Sequence, residues 1–125
     1  MQLSDTGGCG LLECVTVMES EYCIVFNTCP DKISAETIAR VLVDRKLAAC
    51  VNMLPGLRSI YAWKGVCETA EEHLLIIKTS ASAYPALERT ILELHPYELP
   101  EIIAVPIATG LPGYLAWINQ TTTPI

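Results

Sequence analysis

Apolar residues recur along the chain at two different spacings, which predict the secondary structure elements. Residues 22–28 are an aromatic and β-branched run followed directly by a turn signal, which is typical of a strand. From Ser34 onwards the spacing becomes helical, because Ile38, Val41 and Leu42 fall on one helical face. We therefore expect a first strand followed by a first helix, with Ser34 capping the helix start.

Two long segments follow the first helix and predict a hairpin. Residues 48–63 form one strand and residues 66–79 the returning strand, with a Lys-Gly turn between them. A proline lacks the backbone donor that a central strand needs. We therefore expect a bulge or an edge position at Pro55-Gly56.

The last third of the chain predicts a second helix, a fourth strand and a short final helix. Ser82 can cap the second helix, which ends at His95-Pro96. Residues 101–108 are typical of a strand, and residues 111–120 of a short helix. The apolar stripe of the second helix consists of Tyr84, Leu87, Ile91 and Leu94.

The element order β-α-β-β-α-β predicts an α+β fold of the ferredoxin-like class. Two right-handed crossovers around a long central hairpin give a four-stranded antiparallel sheet with both helices on one face. Residues 22–125 form this domain, with the short final helix at its C-terminus. Residues 1–21 are polar to mixed with several glycines, so we expect a poorly ordered leader.

Two of the predicted strands are apolar at odd and even positions alike. They are Leu-Leu-Ile-Ile at residues 74–77 and Ile-Ile-Ala-Val at residues 102–105. The helices cover only one face of such a sheet, so the other face also needs an apolar neighbour. Burying each large side chain is worth roughly 1.5–3 kcal/mol, which favours a sheet-to-sheet oligomer.

Composition narrows the classes of partner. Hydrophobic residues make up 51% of the 125 residues, but the longest apolar run, at residues 102–108, is far shorter than the ~20 residues of a membrane span. The net charge of −6 with scattered basic residues argues against nucleic acid. We therefore expect one soluble domain without a membrane or nucleic-acid partner.

The six cysteines do not predict a disulfide framework. Their spacing is irregular, and Cys23, Cys29 and Cys50 lie in or beside apolar segments. The N-terminus shows no secretory signal, since no lysine or arginine precedes residue 32. Reduced thiols and a cytoplasmic location are the expectation.

The loop after the first strand excludes two functions of this fold class. A soft-metal chaperone needs two cysteines there and an acylphosphatase needs an arginine, but residues 27–31 hold one cysteine and no arginine. An RNA-recognition module needs exposed aromatic residues on its central strands with basic surroundings, and the candidate strands carry leucine and isoleucine.

Four segments together resemble the CutA divalent-cation-tolerance family. They are His-Pro-Tyr-Glu-Leu-Pro-Glu-Ile-Ile at residues 95–103, Ile-Tyr-Ala-Trp-Lys-Gly at 60–65, Lys-Leu-Ala-Ala-Cys-Val-Asn at 46–52, and Pro-Gly at 55–56. The resemblance runs from about residue 22 to residue 119. It implies a ferredoxin-like homotrimer packed sheet against sheet like the PII signalling proteins, and a role in tolerance of divalent metals, with copper the usual candidate and no catalysis.

The resemblance also points to metal ligands. Copper in this family is associated with a cysteine near the end of the first strand and a histidine pair before Pro-Tyr. Those positions here are Asn27 and Leu94-His95, so His95 carries over directly and Cys29 is the nearest cysteine. His95 can instead cap the C-terminal end of the second helix, and Cys29 can be structural.

Aromatic and acidic residues suggest a different site. Trp63 and Tyr97, with Glu98 and Glu101 as polar groups, predict a ligand-binding cleft between subunits, and interface packing is the alternative. No histidine has a companion nucleophile and orienting carboxylate, so we expect no enzyme activity. The alternative function is a PII-like regulatory or scaffold trimer that binds a small molecule or a partner protein in such clefts.

Overall fold

A computed structural model describes residues 20–122, so the expected leader lies almost wholly outside the described residues. Seven elements follow one another in the predicted order. They are β1 (Tyr22–Cys29), α1 (Lys32–Asp44), β2 (Cys50–Trp63), β3 (Val66–Ser80), α2 (Tyr84–Leu94), β4 (Ile102–Pro106) and α3 (Pro112–Thr121).

The four strands form one antiparallel sheet in the order β2-β3-β1-β4. Strands β1 and β3 are therefore central, and the two crossovers through α1 and α2 place β4 beside β1. This arrangement confirms the predicted ferredoxin-like α+β class with its long central hairpin and short C-terminal helix.

The helix caps differ from the prediction. The N-cap of α1 is Asp31, whose carboxylate accepts a hydrogen bond from the Ser34 amide at 2.7 Å. Ser34 therefore lies inside the first turn, because the aspartate three residues earlier is the better-placed acceptor. The N-cap of α2 is Ala83 rather than Ser82, and no side chain caps that helix.

The hairpin has the predicted irregularity. The β2–β3 register shifts between Leu54 and Leu57, which confirms a bulge at Pro55-Gly56. At the hairpin end Lys64 and Gly65 both have positive φ, 51° and 80°, as a two-residue turn that matches the strand twist requires.

The core lies between α1, α2 and one face of the sheet. Its residues alternate along the strands and recur at helical spacing on both helices. The hydrophobic residues that form this core cluster without exposed surface are Cys23, Val25, Cys29, Ala35, Ile38, Leu42, Ala48, Leu75, Ile77, Leu87 and Ile91. Leu87 and Ile91 belong to the predicted stripe of α2, so that prediction is confirmed.

The opposite face of the sheet, here called the open face, is also apolar. It carries the alternate strand positions, and Ile103 remains 52% exposed and Leu54 47% exposed in the single chain. The helix α3 contacts β3 and β1, and its end is fastened by Thr122, which donates to Ser80 Oγ at 3.0 Å. The large apolar residues of the open face are Ile24, Phe26, Leu54, Leu74, Ile76, Ile103 and Val105.

Candidate ligand-binding groove

The loop of residues 95–101 leaves α2 and is fastened at its start by His95. The His95 ring accepts a hydrogen bond from the Tyr97 amide at Nδ1, 3.1 Å away, and its Nε2 lies 2.7 Å from the Thr28 carbonyl oxygen. An amide can only donate, so Nδ1 carries no hydrogen and Nε2 donates to Thr28. His95 is thus a neutral imidazole at the C-cap position of α2, with both ring nitrogens bonded to backbone.

Asn27 fastens the other end of the same loop. Its Nδ2 donates to the Glu101 carbonyl at 2.8 Å, and its Oδ1 accepts from the Cys29 thiol at 3.5 Å. Asn27 has no exposed surface, so these partners satisfy a polar side chain that would otherwise be costly to bury. This role was not predicted from the sequence, where a polar residue at a core-facing strand position is the available signal.

A carboxylate in β3 connects the loop to the hairpin. Glu72 is only 6% exposed, and its two oxygens accept from the Tyr97 hydroxyl at 2.8 Å and the Ser59 hydroxyl at 2.6 Å. Burial, and then the hydrogen bond to Glu72, raise the pKa of Tyr97. The predicted site did not include Glu72 or Ser59; the contact that links Glu72 to the loop joins residues 25 apart in sequence.

These connections leave a groove of about 920 Å³ between the outer part of the hairpin and the loop. All four predicted cleft residues, Trp63, Tyr97, Glu98 and Glu101, lie in its wall. The remaining wall is formed by Thr28, Ser59, Ile60, Tyr61, Glu72, Pro96, Leu99 and Pro100. His95 and Cys29 lie behind this wall and do not line the groove.

The groove is acidic. Glu72, Glu98 and Glu101 lie in its wall, and none of the lining residues is a lysine or an arginine. Burial, and then the charge of Glu72, raise the pKa of Glu101. The ionised form of Glu101 is therefore disfavoured in the folded protein relative to the unfolded chain.

Replacing Glu101 by glutamine is expected to stabilise the protein at neutral pH. The folded-state pKa is the higher one, so the wild type loses stability as the pH rises from the ordinary carboxyl range through that raised pKa. Below both values the two proteins have equal stability. Urea unfolding across the acidic to neutral range measures this, with Glu93→Gln on α2 as the control for removing one charge. A Glu101→Gln gain that is independent of pH would contradict the assignment.

The two predicted metal ligands do not fit a resident copper ion in a single chain. Both His95 ring nitrogens are already hydrogen-bonded, and Cys29 has no exposed surface. Burial, then the charges of Asp31 and Glu72, raise the pKa of the Cys29 thiol to about 12, which keeps it protonated. Within residues 20–122, no three histidine, cysteine, aspartate or glutamate side chains are grouped so as to hold a metal ion.

The fold and groove define a ferredoxin-like domain with an acidic groove beside a long hairpin. The family model for CutA1 divalent ion tolerance protein matches residues 23–121. The chain belongs to this family, as its resemblance predicted.

Individual relatives agree with this assignment. The crystal structure of CutA from Xylella fastidiosa is 51% identical with a TM-score of 0.81, covering 83% of this chain and all of that one. The divalent-cation tolerance protein CutA of Thermus thermophilus is 48% identical over 99 residues, 79% of this chain and 96% of its own. Protein CutA of Mus musculus is 47% identical over 100 residues, and the match covers 80% of this chain but only 56% of the mouse protein.

None of the helices within residues 20–122 is long and apolar enough to cross a membrane. The cysteines of the same range, Cys23, Cys29, Cys50 and Cys67, are all free, as expected for reduced thiols. Cys9 and Cys14 lie outside the described residues.

Proposed function

We propose that this chain serves divalent-cation tolerance as a homotrimer that binds a small ligand in its groove, without catalysis of its own. The groove is the observation that carries the proposal. Its volume suits a small molecule, and aromatic and polar side chains converge on it from β1, from both strands of the β2–β3 hairpin and from the loop of residues 95–101. We thus combine the divalent-cation tolerance of the CutA family with a PII-like regulatory function, in which a trimer binds a small molecule in its clefts.

The trimeric part of the proposal is supported by the open face. Thr28 and Glu72, which line the groove, alternate in phase with the open-face residues Phe26 and Leu74. A sheet-to-sheet contact over the open face would therefore bring a second chain to the edge of the groove. That geometry agrees with a ligand cleft between subunits.

The absence of catalysis is supported by the state of the nucleophile and base candidates. The Cys29 thiol is buried and protonated, and the His95 ring has no free nitrogen to accept a proton. A cytoplasmic location belongs to the same proposal and is supported by the free cysteines of the described chain.

Ligand binding can be followed by the fluorescence of Trp63. The chain has two tryptophans, so Trp117→Phe leaves Trp63, in the groove wall, as the only one. We expect small molecules that bind the Trp117→Phe protein to change Trp63 emission and to lose most of their affinity on Tyr97→Ala. Tyr114→Ala on α3, outside the groove wall, is the matched control. If no compound of a diverse set changes Trp63 emission, or if both tyrosine variants bind equally, the groove is not the ligand site.

Weak copper binding at His95 is a second candidate, favoured by the divalent-cation tolerance of the family; Cys29 could join it only if its buried, protonated thiol were uncovered and ionised. The His95 ring is bonded to Thr28, the residue directly before Cys29. Because both ring nitrogens are occupied, copper must displace the Tyr97 amide from Nδ1, and we expect weak binding. Isothermal titration of the metal-free protein with Cu(II) should then give heat that His95→Ala abolishes. No heat, or equal affinity in the variant, would remove this site.

A further inference from the structure

The carboxylates of the groove have no counter-charge within the described chain. Glu72 is nine-tenths buried, and the partners of its oxygens are two neutral hydroxyls. The ion pairs within residues 20–122 are Arg40–Glu36 and Arg58–Glu71, both at exposed positions outside the groove. A buried carboxylate without an opposite charge is costly, so the groove favours a positively charged occupant.

The other walls of the groove are aromatic and apolar. Tyr61 and Trp63 are 43% and 38% exposed, so their rings are accessible from solvent. Lys64, at the hairpin turn, already places its ammonium 5.8 Å from the centre of the Trp63 ring, within the range of a cation–π contact. Lys64 itself does not line the groove. Within the described chain, its ammonium group contacts the Trp63 ring at the hairpin turn and forms no ion pair with the groove carboxylates.

We propose that the groove selects a small organic cation, an ammonium or guanidinium group on an apolar body. This proposal rests on the proposed function and names the class of its ligand. The groove carboxylates would pair with the cationic group of the ligand. The aromatic rings and the apolar side chains of the wall would pack against its apolar body, the latter being Ile60, Leu99, Pro96 and Pro100. Anions such as phosphates find no cationic side chain in the wall.

The side chains that line the groove favour an organic cation over a bare metal ion. A hard divalent ion needs several oxygen ligands converging on one point. The described residues contain no group of three histidine, cysteine, aspartate or glutamate side chains that could hold a metal ion. An organic cation instead uses separated carboxylates and rings together.

The test compares three compounds of matched shape on the full-length assembled protein. They are phenethylammonium, neutral 2-phenylethanol and anionic phenylacetate, titrated into the Trp117→Phe variant and followed by Trp63 emission and calorimetry. We expect the cation to bind at least about tenfold more tightly than the alcohol, since one charge contact and one cation–π contact are gained. The anion should bind more weakly still.

Variants that remove one carboxylate charge each show which groove residues cause the preference for the cation. Glu101→Gln and Glu72→Gln should each reduce the preference for the cation severalfold, and Glu98→Gln provides a third variant if Glu72→Gln does not fold. Glu93→Gln on α2 should leave it unchanged.

Equal binding of all three compounds would overturn the cation proposal and leave the groove as a ligand site. Equal binding is also the result expected if a neighbouring copy already neutralises the carboxylates. Binding by none of the three would overturn the cation proposal too, while the wider compound set with Tyr97→Ala decides separately on the groove.

Discussion

Lysine in place of Ile103 is expected to leave the protein as folded monomers. Ile103 lies on β4 at the open face, directly opposite Phe26 of β1 in the register. It is 52% exposed in the single chain, so a lysine there keeps its ammonium in water and the monomer fold is unaffected. In a sheet-to-sheet trimer the same position is covered, and each subunit would bury a charge without a partner.

Leu92→Lys is the matched control for this experiment. Leu92 is 53% exposed on α2, on the other side of the molecule, so the substitution introduces the same charge at the same exposure. Sedimentation equilibrium should show trimers for the wild type and for Leu92→Lys, and monomers with unchanged circular dichroism for Ile103→Lys. A monomeric wild type, or a trimeric Ile103→Lys, would contradict sheet-to-sheet assembly.

The fold was largely predictable because its signals are local. The change from strand to helix spacing after β1 and the proline in β2 each act within a few residues, and both were interpreted correctly. The helix starts were not, since Asp31 and Ser34 are equally good capping residues in the sequence. Which of them caps depends on where the chain leaves the preceding strand.

The sequence predicted some of the residues that line the candidate site, but not the hydrogen bonds that hold them in place. The aromatic residues Trp63 and Tyr97 were predicted to share one cleft, and both lie in one groove wall of the structure. The contacts of Glu72 and Asn27 were missed because their partners lie 25 and 74 residues away, at Tyr97 and Glu101, and no local pattern encodes such a pair. A charged residue in the phase of an apolar strand face was the only available signal for Glu72.

His95 illustrates how one residue can satisfy two interpretations of the sequence. Its position at the end of α2 fits a C-cap and also a family metal ligand. The C-cap position is confirmed, but the ring is neutral and bonded to Thr28 and Tyr97, so it holds the loop to β1 and does not serve the helix dipole as an imidazolium. Metal binding by His95 stays a prediction.

Truncating Ile77 to alanine is expected to destabilise the protein by about 2–5 kcal/mol. Ile77 has no exposed surface and lies in the central strand β3, paired with Val25 on one side and Val51 on the other. Removing three carbon atoms costs about 2 kcal/mol of burial at about 0.8 kcal/mol each, and the cavity between sheet and helices adds to this.

The measurement is urea unfolding at one fixed protein concentration, because the stability of an oligomer depends on concentration. Ile33→Ala is the control, since Ile33 is 79% exposed on α1 and the same truncation there should change stability by no more than about 0.5 kcal/mol. Because Ile77 faces the helices and its neighbour Ile76 faces the open side, the Ile77→Ala loss should persist in the Ile103→Lys monomer. If Ile77→Ala caused no loss of stability in the monomer, Ile77 would stabilise the assembly and not the core of the single chain. The core would then not lie on the face of β3 that the alternation of its residues indicates.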